Sequence, residues 1–470
     1  MSALKKKLLA IPVEIYKREF FIQLYLALLA SKDDFQVLLG EQNDMSFKRV
    51  YDGIYLHKDH ANWSERIYKK VKSRNNLTAA QDSEGLIYPS EDDYLSNRAS
   101  KWILENIDLV FFWGSVQKKL ILKVSKGNNN FHVVGSPKFD ICNLFRDSQK
   151  NVNTNYKRKA KKILINTRFA STNIRSTEDE LMNLINLGVL KSDKDFENYE
   201  SFINSENIIY GEFLSLIQKL DSVNDVKITI RPHPVEYLSF YNELAKSFSN
   251  VIIDNHTSLH EQILDHDCII HDGCTTAVEA KCMGKAVFGL RPGSLKNAYS
   301  DYANNYSYNF SCSKSLYDYL INTNICDYKN NVSDDFAKES IYNWSSSSIN
   351  STYQIISKLN DLKLYPQGIF NAKAIYLTDL RRIMYYLYTE FSMIKYLFKQ
   401  LNISKLNRLI SSQIKIENKF CNIDLKEINN LIETLNKLDR NTLRLEEIEV
   451  KKISNRAILI YKKAHICGSK

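Results

Sequence analysis

A chain of 470 residues, 44% hydrophobic and 25% charged, is long enough for two globular domains with an appendage and too apolar to stay disordered. No run approaches the roughly 18 uncharged apolar residues a spanning helix needs, and the apolar stretch Leu8–Val13 stops at Glu14 with no small-residue cleavage site behind it, which argues against a signal peptide. The net charge of +10 permits contact with a polyanion, but no nucleic-acid motif accompanies it, so nucleic acid is not an expected partner.

In chain order, short apolar runs alternate with amphipathic stretches. Leu8–Val13 predicts a strand, Phe20–Ser31 a helix, Gln36–Leu39 and Gly53–Leu56 strands, and Ser64–Ser73 a helix. Gly85–Tyr88 falls near a strand end, Asp93–Asn106 is a helix, and Leu109–Phe112 is a strand. Phe131 to Asp140 closes this half as strand plus turn, and the polar, basic segment Asp147–Lys162 is a linker. A second alternation then begins. It has strands at Ile163–Ile165, Val226–Ile230, Val251–Ile253, Cys268–Ile270 and Ala286–Leu290, with helices at Tyr210–Leu220, Val235–Phe248 and Thr275–Met283. Alternation of this kind predicts parallel sheets covered on both faces, hence an α/β protein of two Rossmann-like, doubly wound domains. After Tyr365 the pattern becomes almost continuous helix with no strand expected, and Ile428, Leu431, Ile432, Leu435 and Leu438 recur at helical spacing. The expected division is 1–150, 160–365 and a basic helical extension, 366–470.

Two motifs carry chemistry. Arg231-Pro-His-Pro234 follows the run Val226–Ile230, so Arg231 and His233 sit at the C-terminal end of a strand, where open α/β sheets bind ligands. Two prolines fix the backbone so that a helix can start near Val235, and a helix N-terminus flanked by Arg and His suits a phosphate. The second motif repeats the arrangement: Cys268–Ile270 is a strand, Asp272-Gly273 the turn, and Thr275-Thr276 open a helix that carries Glu279 one turn on. Hydroxyls and free amides at that helix start can grip phosphate, and Glu279 is placed to accept from ribose hydroxyls. The alternative for this segment is a capped helix with Thr275 as N-cap and Glu279 solvated.

These residues, with Ile11-Pro-Val-Glu-Ile-Tyr-Lys-Arg-Glu-Phe20, Asp82-Ser-Glu-Gly-Leu86, Val134-Gly-Ser-Pro-Lys-Phe-Asp140 and Ile165-Asn-Thr167, resemble the bacterial surface carbohydrate biosynthesis family. That family is related to capsule Kdo transferases and to GT-B sialyltransferases, and the resemblance spans about residues 10 to 293. It implies a GT-B fold, two Rossmann-like domains facing a cleft, and a metal-independent glycosyltransferase that moves an ulosonic acid from a CMP donor to a glycan hydroxyl. His233 looks like the family's phosphate-contacting histidine, Thr275 and Thr276 like its Ser/Thr pair, and Glu279 like its ribose-binding acid. Arg231, Asp272, Gly273, Asn166 and Thr167 complete the implied nucleotide site. Asp82-Ser-Glu84-Gly85 is similar to the acidic-Gly motif that supplies the catalytic base, but a serine interrupts the acidic pair, and Glu84 is preferred over Asp82.

Glu14, Arg18 and Glu19, just behind the first strand, are candidates for binding acceptor or the donor carboxylate, the alternative being ordinary first-turn helix charges. No cofactor or metal is expected: the eight cysteines show no CxxC spacing and read as reduced thiols of a cytoplasmic protein. A CDP-glycerol-type polyol-phosphate transferase keeps the same fold with another donor, and a non-catalytic sugar-nucleotide-binding module is the competing class. Residues 366–470 hold 19 Lys and Arg against 10 Asp and Glu, nine of the ten net charges. A basic end on a near-neutral body, with aromatics among the cations from Ile375 to Tyr388, fits peripheral attachment to the inner membrane face near a lipid-linked acceptor, or else a packing appendage.

Overall fold

The computed structural model describes residues 7–85, 90–126, 130–149, 159–169, 185, 192–233, 236–292, 302–324, 334–346, 349–362, 369–370, 419–439 and 447–463. Its strands, in chain order, begin with β1 (Lys7–Val13), β2 (Phe35–Glu41), β3 (Val50–Tyr51), β4 (Ile54–His57), β5 (Leu77–Gln81), β6 (Leu109–Phe112) and β7 (Phe131–Val133). Then come β8 (Lys162–Asn166), β9 (Lys227–Arg231), β10 (Val251–Ile253), β11 (Cys268–His271), β12 (Ala286–Leu290) and β13 (Tyr308–Phe310). The last are β14 (Ile369–Phe370), β15 (Ile448–Lys452) and β16 (Ala457–Lys462). The chain forms two compact units, one of Met1–Ser83, Leu95–Pro137 and Ile349–Lys470, the other of Glu84–Tyr94 and Lys138–Ser348.

The first unit is built on an eight-stranded sheet in the order β15-β16-β2-β1-β4-β5-β6-β7. From β2 to β7 every pairing is parallel. Residues Leu8–Val13 of β1 are all buried, the continuous apolar run expected of a parallel strand covered on both faces. The helix Phe21–Lys32 is buried on every side from Leu24 to Ser31, because it packs on β2 and is itself covered by β16 and the helices Ser351–Asn360 and Leu425–Leu438. Such a helix has no polar stripe to show.

The second unit has six parallel strands in the order β10-β9-β8-β11-β12-β13, the doubly wound order of dinucleotide-binding sheets. Its core gathers Ile163, Ile165, Ile228, Ile230, Ile270 and Phe288 from the strands and Phe213, Leu216 and Leu220 from the long helix Asp193–Asp221. In each unit the chain first runs outward from a central strand and then returns to its other side. The crossing points therefore lie between β1 and β4 in the first unit and between β8 and β11 in the second, and open α/β sheets bind ligands at the C-terminal strand ends there.

The α/β expectation of two doubly wound halves agrees with these sheets, and several local expectations need correction. The predicted helix Asp93–Asn106 is two helices, Glu91–Arg98 and Lys101–Asn106, because Ser100 leaves the helical conformation and its hydroxyl caps the second one at the Ile103 amide. Strand β5 was not predicted, since Leu77-Thr-Ala-Ala-Gln81 has little apolar mass, while the segment expected near that strand end, 86–88, lies outside the described residues. Pro137–Ser148 is a helix rather than a turn: Pro137 occupies the first helical position, where its missing N–H costs nothing. The next helix after β9 begins at Leu238, not Val235.

The C-terminal extension departs most from expectation. Residues 366–418, apart from 369–370, lie outside the described set, as does the aromatic and cationic stretch Ile375–Tyr388. What is described is not all helix. The strands β15 and β16 form a hairpin whose second strand pairs antiparallel with β2, so this segment completes the first unit's sheet. Gly40 of β2 is required there, because a Cβ would lie 2.3 Å from the Arg456 carbonyl oxygen. The helical spacing of Ile428, Ile432 and Leu435 marks a face buried against this same unit, with Tyr16 Oη donating to Glu427 at 3.1 Å and Tyr25 Oη to Asp439 at 2.9 Å. None of the described helices is long and apolar enough to cross a membrane.

Candidate functional site

In the second unit the crossing point brings together the ends of β8 and β11. Asn166 ends β8 and is followed by Thr167 and Arg168; Asp272 and Gly273 follow β11. Ile165 pairs with Ile270, so Asn166 is level with His271 and Asp272 lies one residue beyond. Gly273 adopts a φ of 133°, open to glycine and strained for any other residue, and this turns the chain into the helix Thr275–Cys282. Cys274 is the N-cap of that helix, so Thr275 is the first helical residue rather than its cap. Both Thr275 and Thr276 are half-buried at this N-terminus, where the Cys274 thiol lies against the Thr276 hydroxyl and the Ala277 amide.

Around this turn the side chains are of two kinds. His271 is buried and fully engaged: its Nδ1 accepts from the Gly273 amide at 2.8 Å and its Nε2 donates to Ser307 Oγ at 2.5 Å. Burial, aided by Arg168, pulls its pKa to about 3, so it is a neutral structural imidazole. Asn166 and Asp272 are the other kind. Both are buried, at 4% and 0% exposure; among the described residues no side chain hydrogen-bonds either of them, and burial raises the Asp272 pKa while Arg168 and Arg291 draw it down.

The Arg-Pro-His-Pro segment is divided in use. Arg231 ends β9, and its Nη1 donates to the Thr257 carbonyl and to Gln262 Oε1, each at 2.7 Å. It therefore pins the loop before the helix Leu259–Asp265. His233 is partly exposed, and its backbone amide donates to Glu236 at 2.8 Å; Pro234 and Val235 lie outside the described residues. Glu236, which sequence inspection did not single out, knots two strand ends together: its carboxylate also accepts from the Thr167 hydroxyl at 2.5 Å and from the Phe169 amide.

Burial raises the Glu236 pKa and these hydrogen bonds only partly offset it, leaving it at about 7 against an ordinary 4.5. The folded chain thus keeps this proton over a pH range where the unfolded chain has lost it, and stability falls as pH rises from about 4.5 to 7. The full effect is about 3 kcal/mol. Urea unfolding at pH 5 and pH 7.5 should show this decline in the wild type and a clearly shallower one in Glu236→Gln. Equal declines in both proteins would reject the assignment.

Glu279 sits differently from the ribose-binding expectation. It is 3% exposed, with Lys138 Nζ at 3.4 Å and His260 Nε2 at 3.4 Å, and the His260 ring stacks on Phe145 at 5.2 Å. Burial alone would raise its pKa, but Lys138 and His260 hold it at about 2. A ribose would have to displace one of them. Cys142 lies close enough that Cys, His and carboxylate donor atoms fall within 4.8 Å of one another. The Lys138 ammonium already balances the carboxylate, and burial pushes the Cys142 thiol up, toward its uncharged form. Lys138 and Asp140, which accepts from Asn343 at 2.6 Å, are the charged residues of the Gly-Ser-Pro-Lys-Phe-Asp run, and both brace the second unit.

In the first unit the crossing point carries Glu14, directly after β1, and Lys58, directly after β4, as an ion pair; Lys419 joins the same carboxylate. Burial works against ionisation of Glu14, yet the two lysines bring its pKa to about 2. Glu19 is buried and accepts from the Glu14 amide at 2.9 Å and from Arg18 at 3.1 Å, so it chiefly braces its own turn. Asp82 is wholly buried and held in two-point fashion by Arg98, at 2.5 and 3.4 Å, a partner outside the sequence motif. Glu84 is partly exposed in the turn that follows and belongs to the second unit. The paired-acid expectation is therefore split: Asp82 is occupied and Glu84 is the accessible member.

No family model matches the chain, and no curated protein matches it. Solved structures resemble it partially. UDP-GlcNAc 2-epimerase from Methanocaldococcus jannaschii, in complex with UDP-GlcNAc and UDP, is 13% identical over 75% of this chain and 99% of that one, with a TM-score of 0.45. UDP-GlcNAc 2-epimerase from Neisseria meningitidis bound to UDP-GlcNAc is 12% identical over 76% of this chain and 100% of that one, at 0.45. The wall teichoic acid polymerase TagF is 11% identical over 76% of this chain and 89% of that one, also at 0.45. With these scores below 0.5, the doubly wound architecture stands on the chain's own strand order and crossovers.

Proposed function

We propose that the chain is a GT-B glycosyltransferase of bacterial surface-polysaccharide assembly that transfers an ulosonic acid from a CMP donor to a glycan hydroxyl. The observation that carries this reading is the crossing point of the second unit, where the Thr275 helix start and the half-buried Thr275 and Thr276 share one sheet end with His233. In the reaction the bond from the anomeric carbon to the phosphate oxygen breaks, and CMP leaves as a phosphate monoester. Most of the catalytic demand is therefore charge stabilisation at that phosphate, which the helix amides, the two threonine hydroxyls and His233 supply in this reading. Glu84 takes the acceptor proton, since the Asp82 carboxylate is already held by Arg98.

A thermal-shift panel of CMP-Kdo, a CMP-nonulosonic acid and CDP-glycerol tests the donor. A donor at about 100 times its Kd stabilises the folded chain by about 2.7 kcal/mol, a shift of several degrees. CMP-linked sugars should give that shift, followed by CMP release with a synthetic acceptor. Stabilisation by CDP-glycerol alone would transfer the chain to the polyol-phosphate class, and no shift with any nucleotide would remove the enzyme reading.

A further inference from the structure

Positive charge in the first unit is gathered on one face. Strands β4, β5, β6 and β7 pair in sequence order and in parallel, so the right-handed crossovers between them run the same way along the sheet and leave their helices on one side of it. Those crossovers carry the helices Glu65–Lys72, Lys101–Asn106 and Ser115–Ile121. In the segments 63–74, 101–108 and 115–126, which hold these helices, ten Lys and Arg stand against three acids. Each acid has a cation beside it: Glu65 meets Lys69 at 3.2 Å, Glu105 meets Lys101 at 3.8 Å and Asp108 meets Lys72 at 3.0 Å. Beyond these pairs Arg66, Lys70, Lys119, Lys123 and Lys126 are all exposed.

Large apolar side chains stand among these cations. Trp63 is 59% exposed and Leu122 40%, while Tyr68, Val71, Ile103, Leu104, Leu120 and Ile121 of the same helices are buried and form their inner side. Trp63, Arg66 and Lys70 follow one another at helical spacing, so the indole shares an outward stripe with cations. The Arg98 guanidinium lies 5.7 Å from the Trp63 ring centroid, and the Lys69 ammonium 4.6 Å from that of Trp102. Indoles settle at the headgroup level of a bilayer, and cations beside them meet the lipid phosphates. Eight of the ten cations are Lys, point charges that suit a diffuse anionic surface, whereas a single bound carboxylate or phosphate favours the arginine fork. We infer that this face of the first unit docks on an anionic lipid bilayer. It is separate from the stretch 375–388, and it stands independently of the donor reading above.

Co-sedimentation of the full chain with vesicles tests the face. Vesicles of phosphatidylglycerol and phosphatidylethanolamine should carry the protein down at low salt and release it at high salt, and vesicles of phosphatidylcholine should not bind it. A cation near an anionic leaflet strengthens attachment about fivefold, so Lys70→Gln combined with Lys119→Gln should weaken it about 25-fold. Trp63→Ala removes an exposed ring, opens no core cavity, and should weaken attachment about tenfold. No sedimentation with the anionic vesicles at low salt overturns the proposal. So does sedimentation that neither variant weakens, which would place the attachment elsewhere on the chain. Alginate, a soluble anionic polysaccharide, retained more tightly than the vesicles and released by the same lysine substitutions, would make this a glycan-binding face and equally overturn the bilayer. Nucleotide binding in the thermal-shift panel is read separately, so either result can fail without the other.

Discussion

Lys138→Ala should lower the unfolding free energy by about 3–5 kcal/mol. Glu279 is 3% exposed and stays ionised only because Lys138 and His260 flank it. Removing the ammonium leaves a buried carboxylate that must be protonated or stay desolvated without a full partner. The large cost comes from breaking the pair, not from the pair's own net worth: a buried ion pair replaced on both sides is often neutral. Lys138→Ala combined with Glu279→Gln should therefore recover most of the loss, and urea unfolding of the wild type, the two single variants and the double variant gives the coupling directly. A single-variant loss below 1 kcal/mol, or a double variant as unstable as the single, would show that Glu279 is supported by something else.

His233→Ala should reduce turnover of the CMP donor by about 10²- to 10³-fold while leaving thermal unfolding almost unchanged. The structure separates the two effects. It is the backbone amide of residue 233 that donates to Glu236 and ties the strand ends together, and alanine keeps that amide. The side chain is partly exposed, so its removal opens no cavity in the core. In the proposed reaction it contributes only as charge builds on the departing phosphate, which predicts a fall in kcat larger than any rise in KM. Wild-type CMP release by the variant would remove His233 from the chemistry.

The sheets were legible because their strands are buried on both faces and therefore announce themselves as apolar runs; Ile163–Ile165 and Ala286–Leu290 are examples. Strand β5 was not, because alanines and polar residues pack there against neighbours that supply the bulk. In the hairpin β15–β16, Ile448–Lys452 are mostly exposed, so charge hides the alternation of β15; β16 does carry a buried apolar run, Ala457–Ile460, but its partner β2 lies at the other end of the chain. At the site, positions at strand ends were readable from local pattern, as with Asp272 and His233. Their partners were not. Nothing local couples Lys138 to Glu279, Glu236 to Thr167, or Arg98 to Asp82, because such pairs are made by the fold across turns and crossovers. Arg168 came nearest to being found, as a cation directly after Asn166-Thr167 at a strand end.

The pairing of β16 with β2 also sets an order of events during synthesis. Residues of β2 emerge more than 400 positions before Ala457–Lys462, which at ordinary translation rates is a wait of roughly 20–80 s. The second unit is complete once Ser348 has been made, so it can close first. Until the last hairpin arrives, β2 presents an open row of backbone donors and acceptors, with Gly40 leaving its edge unshielded by any side chain. The nascent first unit thus keeps one edge of its sheet open until residues 457–462 have been made, long after the second unit has all its residues.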